Sequence, residues 1–470
     1  MSSLLSFINA PRHLLDQGWQ PWLRLGLIIG VLFLSVVLGY RLSPGRLTLL
    51  LALSAGLAGS LIFLRWPMWG LLMLPIVGMV IPFVGPGSVN ISIALVALML
   101  ALWLVDMVVQ QRQIRLVSSR PMLPLFALVV VALLSFISGQ FSWFNFAQNA
   151  PLDAQLGGLG IFVFSAGTFL LVANQVHEIR WLEAMTWLFL AVGALFIAGR
   201  ALPPLLGPIT SKVFTSGVFG GVFYAWFPAL ALGQALFNSK LRPGWRMILF
   251  CLVLATLYAA YFRNYEWKSG WLPSFAAVGV IIWLYSWRIG LVLTLVASVP
   301  VWMLIPQLLA SDAYSVSTRF DAWIIMGEII KVNPVLGVGF ANYYWYTPLF
   351  RIRGWEVTFN SHNNYVDIVA QTGLVGLVCF LWFFWEAGRL AWQLRNRVPE
   401  GFAQAYVYGA LGGVVGTAVA AMLGDWVLPF VYNIGLSGFR TGLLAWLFLG
   451  GLVVLENHYT NQAQSLKDKT

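Results

Sequence analysis

Along this chain, apolar runs of about 17 or more residues alternate with short breaks rich in arginine, proline and glycine. The runs lie near 22–40, 47–64, 67–83, 91–109, 122–138, 158–174, 182–198, 214–237, 247–262, 271–287, 290–309, 366–388, 403–423 and 438–455. Each is long enough to carry a helix through a hydrocarbon core about 30 Å thick, or nearly so. Adjacent short runs such as 67–83 can also read as re-entrant. The pattern therefore predicts an all-α polytopic membrane protein with about 12 to 14 transmembrane helices. One hydrophilic connection is long, 310–365, and it divides the chain into an N-terminal transmembrane bundle (1–309), a loop domain (310–365), and C-terminal transmembrane helices with a tail (366–470). Ahead of the first run, Leu4, Leu5, Phe7 and Ile8 precede Arg12, a pattern that fits either an interfacial amphipathic helix or a disordered tail. No small-residue cleavage site follows the first run, so no removable signal peptide is expected.

Composition sharpens that picture. Of 470 residues, 60% are hydrophobic, and the charged residues are 27 Lys+Arg and 16 Asp+Glu. A soluble chain of this length would carry about 118 charges at a typical 25%. The deficit extends over the whole length, which excludes a soluble domain on a single anchor. The two cysteines, Cys251 and Cys379, sit in apolar runs and exclude a disulfide framework. The net charge of +11 is scattered in short clusters between runs, which argues against nucleic acid as a partner. With both termini in the cytoplasm, most arginines and lysines fall on short cytoplasmic loops, as the positive-inside bias requires. Arg41, Arg46, Arg200, Lys212, Arg263, Lys268, Arg319, Lys331, Arg351, Arg353 and Arg440 then face the other side, against that bias.

The same parity puts 310–365 outside the cytoplasm. Trp323, Trp345, Trp355 and several tyrosines argue that this loop is ordered, and Phe320, Trp323, Ile324, Gly327 and Ile330 recur at helical spacing, predicting one apolar face. Of the four histidines, His13, His177 and His458 fall in cytoplasmic segments, and His362 faces the other compartment at the junction of the loop with the next run. With Asn360 or Ser361 as N-cap, His362 would lie in a first helical turn, where the dipole favours a neutral ring able to accept a proton. A capping or packing histidine is the plainer alternative. Asp312, Asp321, Glu328 and Glu356 are irregularly spaced and read as solvated surface, no acidic pair suits two-carboxylate chemistry, and no ligand cluster suits a metal. Gly337-Val338-Gly339 lacks the third glycine and the preceding strand of a nucleotide loop.

Arg319 and Trp323, then Asn333-Pro334-Val335-Leu336-Gly337-Val338-Gly339, then His362-Asn363 followed by Gly373 and Gly376, together resemble the O-antigen ligase and O-antigen polymerase superfamily of bacterial inner-membrane glycosyltransferases. The last group fits a signature of His, an amide or serine residue, a nine-residue spacer (here 364–372), Gly, two residues and Gly. The resemblance implies a GT-C-like fold and a periplasmic active site that uses no metal and no cofactor. It also implies an undecaprenyl-diphosphate-linked glycan as donor and a glycolipid acceptor, lipid A core in a ligase or a second lipid-linked repeat unit in a polymerase. By motif match His362 and Arg319 carry over as functional residues, with Asn363 beside them. A further arginine of the family sits at the outer end of a span, where this sequence has Arg263-Asn264-Tyr265-Glu266-Trp267-Lys268, so Arg263 and Lys268 are alternatives.

The residues themselves are compatible with that chemistry. Arginine forks match phosphate oxygens, and preorganised cations stabilise a departing diphosphate, which makes Arg200, Arg263 and Arg319 the expected donor contacts. Arg351 and Arg353 are further cations of that type, read equally well as donor contacts and as surface ion pairs or headgroup contacts. Three classes of function fit the sequence: an inverting glycan ligase or polymerase with His362 as general base, a transporter or flippase of lipid-linked sugars, and a structural assembly protein. An intramembrane charge relay, which a transporter would need, is not evident, since Asp106, Asp367 and Glu386 lie near span ends.

Overall fold

The computed structural model describes residues 59, 62, 63, 65–215, 220–311 and 313–467. The expected interfacial segment and span 22–40, with Arg12, His13, Arg24, Arg41 and Arg46, lie outside the described residues, as does nearly all of span 47–64 and Asp312. The chain divides into two compact units, Met1–Pro67 and Met68–Thr470, and the second holds everything that follows.

Helices run in the order α1 (Pro67–Val80), α2 (Ile91–Val105), α3 (Met122–Ser138), α4 (Leu152–Gln175), α5 (Ile179–Ala201), α6 (Pro203–Val213), α7 (Gly221–Phe237), α8 (Pro243–Tyr261), α9 (Lys268–Tyr285), α10 (Trp287–Ser311), α11 (Ala313–Ile330), the short α12 (Asn342–Tyr346), α13 (Asn364–Leu394), α14 (Phe402–Leu423) and α15 (Phe439–Lys467). Pairing of the β type is limited, among the described residues, to the isolated bridges Val84 with Asn90 and Ile352 with Trp355. Every run anticipated from residue 67 onward overlies a helix. Seven of these helices are long and apolar enough to cross a membrane: α2 (as Ile91–Val109), α4, α5, α8, α13, α14 and α15 (as Leu436–Thr460); α1, α3, α7 and the stretch Trp287–Ser298 of α10 are apolar but shorter. A protein with this many apolar helices is a membrane protein.

Two helices form the centre. In α7 every residue from Gly221 to Ala235 is buried, and α15 is buried from Phe439 to Leu455. Small residues allow that centre to close, because helices in lipid gain their packing from close backbone approach. Gly409, Gly413 and Gly416 of α14 lie against Leu230, Trp226 and Ala225 of α7, while Gly412 lies against Ile281 of α9. Rings fill the spaces left: Trp226 stacks on Phe448 at 5.4 Å, and Phe383 of α13 stacks on Trp446 at 5.0 Å. The indole of Trp226 donates to Thr417 Oγ1 at 2.9 Å, which satisfies a polar group deep in the core. Helices toward the outside, such as α8, leave one side of apolar side chains exposed, including Met247, Leu254 and Tyr258.

The loop between α10 and α13 is ordered, as its aromatic content predicted. Helix α11 spans the anticipated segment, but its buried face is Ala322, Met326 and Ile329; Phe320 and Ile324 are exposed. The spacing predicted a face carrying Phe320, Trp323 and Ile324, whereas the partners packed on α11 accept the smaller Ala322 and the flexible Met326. Met326 and Ile329 join Val338, Tyr343, Tyr346, Ala370 and Phe430 in one core beneath the loop.

Candidate functional site

Helix α13 is broken at Gly373, whose φ of 69° and ψ of −177° are open only to glycine. A break inside a buried helix frees backbone groups, and the segment 333–339 receives them. Val338 and Gly339 donate to the carbonyls of Ala370 and Gln371 at 2.9 and 3.1 Å, and Leu374 and Val375 donate to Pro334 and Val335 at 2.8 and 3.3 Å. Such approach of two backbones leaves no space for a Cβ at Gly337 against Gln371, nor at Gly373 against Val335. Asn333 closes the strap: its Nδ2 donates to Gly337 O at 2.7 Å, and its Oδ1 accepts from Leu336 N at 3.3 Å. Ser135 and Ser138 of α3 hold the carbonyls of Leu336 and Gly337. The Asn-Pro-x-x-Gly-x-Gly run is thus a strap around a helix break.

The strap fixes the first two turns of α13, and His362 stands just before them. Its N-cap is Asn363, whose Oδ1 accepts from Tyr365 N and Val366 N at 2.9 and 3.4 Å. This differs from the expected cap at Asn360 or Ser361. His362 therefore lies outside the helix, in the left-handed region at φ 49°, and not in its first turn. Asn363, expected beside the substrate, is 6% exposed and caps the helix instead of lining the cavity.

His362 opens onto a cavity of about 360 Å³ together with Arg319, Thr318, Tyr344, Asn360 and Tyr432. Desolvation by the cavity walls, and then the Arg319 guanidinium, hold the His362 pKa below the ordinary imidazole value. The shift has the direction expected from the sequence, but burial and Arg319 cause it, not a helix dipole. The Trp323 indole donates to Ser361 O at 2.8 Å, pinning the chain on one side of the histidine.

Two buried carboxylates lie behind it: Asp367, expected only as a residue near a span end, and Asp425, which no sequence pattern marks. Asp367 and Asp425 are each 1% exposed and are electrostatic neighbours. Asp367 Oδ1 accepts from Tyr343 Oη at 2.6 Å and Ser361 Oγ at 2.7 Å, while its Oδ2 is buried without a partner. Asp425 Oδ2 accepts from Phe430 N at 2.8 Å, and its Oδ1 accepts from Asn433 Nδ2 at 2.5 Å. The same Nδ2 lies 3.4 Å from His362 Nδ1. Burial, partly offset by the Phe430 and Asn433 hydrogen bonds, raises the Asp425 pKa to about 6. A pair of acids 58 positions apart, one just after a cap and one between spans, has no spacing signature. The visible hint was an acidic residue in the first turn of α13, one turn after the Asn363 cap.

The remaining arginines separate. Arg200 and Arg263 line a second cavity of about 820 Å³ with Asn264, Tyr224, Thr210, Thr215 and Trp267, and Arg200 Nη2 donates to Asn264 Oδ1 at 3.1 Å. Lys268 opens α9 and lines neither cavity, so of the two alternatives the geometry brings Arg263 to Arg200. Arg319 does not share that cavity. Arg351 pairs with Glu356 at 3.0 Å and Arg353 with Asp321 at 2.8 Å, both exposed, as the plainer reading of these arginines held. Arg440, buried at 7% exposure on α15, donates to Thr215 Oγ1 and Phe83 O. Among the described residues no three His, Cys, Asp or Glu side chains form a metal-ligand group.

Fold and site thus define a helical membrane protein with a histidine and an arginine facing one cavity in its ordered loop, and two further arginines lining a second cavity. Residues 227–381, about a third of the chain, match the family model of the O-antigen ligases. The matched segment contains Arg263, Arg319, the strap, His362, Gly373 and Gly376, and it supports the resemblance to the O-antigen ligase and polymerase superfamily, whose members are glycosyltransferase-like enzymes. Arg200, Asp425 and Asn433 lie outside it. No curated protein matches the chain.

Proposed function

We propose that this protein is an O-antigen ligase of GT-C-like fold in the bacterial inner membrane. It transfers a glycan from undecaprenyl diphosphate to a hydroxyl of a glycolipid acceptor, lipid A core, on the periplasmic face. The observation that carries this reading is that His362 and Arg319, the two residues matched to the family motif, line one cavity although 42 positions of loop and helix separate them. His362, kept neutral, takes the proton of the acceptor hydroxyl as that oxygen attacks the anomeric carbon. The bond to the lipid diphosphate breaks on the opposite face, and the configuration inverts. Arg319, in the cavity of His362, holds the diphosphate and neutralises the charge that grows on it, and Arg263 and Arg200 in the second cavity add to that anion binding, a role that needs no metal. A positioned histidine base contributes about a hundredfold to ten-thousandfold.

The test is incubation of the purified protein with a lipid-diphosphate glycan, with and without lipid A core, followed by product analysis. His362→Ala is expected to bind donor normally and transfer it slowly. Full transfer by that variant, or retention of anomeric configuration, would overturn the mechanism. Chain elongation without core would instead identify a polymerase.

A further inference from the structure

A histidine acts as base at one ring nitrogen only if the other holds the proton, and that proton needs an acceptor. At His362 the group facing Nδ1 is the Asn433 side-chain amide, at 3.4 Å, and the same end of that amide meets Asp425 Oδ1 at 2.5 Å. One amide end thus serves two neighbours, and it must suit both. An NH2 end donates to each: Asp425 is then a bare carboxylate, Nδ1 an acceptor, and the His362 proton sits on Nε2. A carbonyl end accepts from each: Asp425 then carries a proton and donates it, Nδ1–H donates as well, and Nε2 is left with its lone pair. Mixed arrangements set two donors or two acceptors against one another.

We propose that Asn433 is a positioning residue that transmits the protonation state of Asp425 to His362, so that the proton on Asp425 turns the ring nitrogen Nε2 into a base. The inference rests on His362 being the base and adds what selects its tautomer. Several observations support it. Asp425 is sealed from solvent with Asp367 beside it, and Asp367 Oδ2 is buried with no donor, so the two carboxyls are a site for a shared proton. The charged and titratable groups around the pair and the ring are Tyr343, hydrogen-bonded to Asp367, Arg319 beside His362, and Tyr344 and Tyr432 on the cavity wall. Arg319 disfavours imidazolium and leaves the choice of neutral tautomer to Asn433. The raised Asp425 pKa, about 6, puts the change of state near neutral pH.

Carboxyl-to-amide replacements drive the tautomer in opposite directions. Asp425→Asn keeps a donor toward Asn433 that no base can remove, and so favours Nδ1–H. Asp367→Asn removes the negative neighbour of Asp425 while its Oδ1 still accepts from Tyr343 and Ser361; Asp425 then ionises more readily, favouring Nε2–H. The readout is the pair of ring-nitrogen shifts of 15N-histidine by solid-state NMR, on full-length protein in lipid with His13, His177 and His458 replaced by glutamine. The expected result is a wild-type Nδ1–H share that falls between about pH 5 and 8, a share in Asp425→Asn that no longer falls, and a lower share in Asp367→Asn at every pH. In transfer assays Asn433→Leu is expected to lose tenfold or more in turnover with donor KM unchanged. Identical tautomer populations in all three proteins, or shifts of both variants in the same direction, would overturn the proposal. The tautomer is read without turnover, so full transfer by His362→Ala would remove the base reading and leave this measurement standing.

Discussion

Replacing Gly373 by alanine puts the strap to the test. Its φ and ψ lie where only glycine is comfortable, so an alanine there costs about 1–3 kcal/mol in backbone strain if the helix break persists. The new Cβ would also meet Val335 O and Leu336 N, and the strap must retreat. Retreat loosens the bonds from Leu374 to Pro334 and from Val375 to Val335, each worth about 0.5–1.5 kcal/mol. The sum, about 2–6 kcal/mol, is a large part of the 5–15 kcal/mol that about spans ordinary domain stability. Gly327 on α11 is the control, because a Cβ there meets nothing within 4 Å. Gly327→Ala is expected to be neutral or to stabilise by up to about 1 kcal/mol through helix propensity. Thermal unfolding of both variants in detergent, followed by glycan transfer on the folded fraction, separates them. The Gly373 variant should melt well below the wild type and lose transfer, since the strap holds the turns that carry Asn363 and Asp367. Equal melting of the two variants, with transfer intact in both, would refute the strap.

Replacing Arg319, Arg263 and Arg200 singly by alanine should each cost about 1.5–3 kcal/mol in donor binding or turnover, with lysine rescuing only partly because it lacks the fork; unchanged donor affinity and turnover in all three would remove the diphosphate assignment. Arg351→Ala, in an exposed ion pair with Glu356, should stay within about 0–1 kcal/mol of wild type, as urea titration of both proteins would show. A chelator is expected to leave transfer intact, and activity lost to it and restored by magnesium or manganese would sink the metal-free mechanism. For stability, the native protein binds the Asp425 proton more tightly than the unfolded chain does. Its contribution is therefore full below about pH 4 and lost as pH rises to about 6, some 3 kcal/mol in all. Asp425→Asn should flatten that part of the stability profile, and an unaltered profile would show that Asp425 does not titrate in this window.

How much of this was legible depended on the range of the interactions. Apolar runs announce helices because each residue needs only its own neighbours to be apolar, and every run from residue 67 onward became a helix. His362 and Arg319 were legible because a compact motif holds them. The orientation of α11 was not, since Met326 and Ile329 are buried in a core that Val338 of the strap, Tyr343 and Tyr346 of α12, Ala370 and Phe430 bring to them. The N-cap moved two or three residues from its expected position because Ser361, which could have capped, instead donates to Asp367.

Charge was the hardest part to read. The sequence offered an excess of arginines on one side, and they looked alike. Tertiary structure sorts them by what is left to pair with: Arg351 and Arg353 reach local acids at the surface, Arg200 and Arg263 meet an amide and hydroxyls around a cavity, and Arg319 faces the His362 imidazole. Acids near an unpaired arginine would cancel the charge that an anionic donor needs. Asp367 and Asp425 avoid this by being buried behind His362, where tyrosine, serine, asparagine and backbone N–H donors take the place of cations. Separation of acids from arginines is thus what leaves the cavities positive and gives the histidine a neutral hydrogen-bonded support, and it depends on contacts between α12, α13 and the segment after α14 that no local pattern encodes.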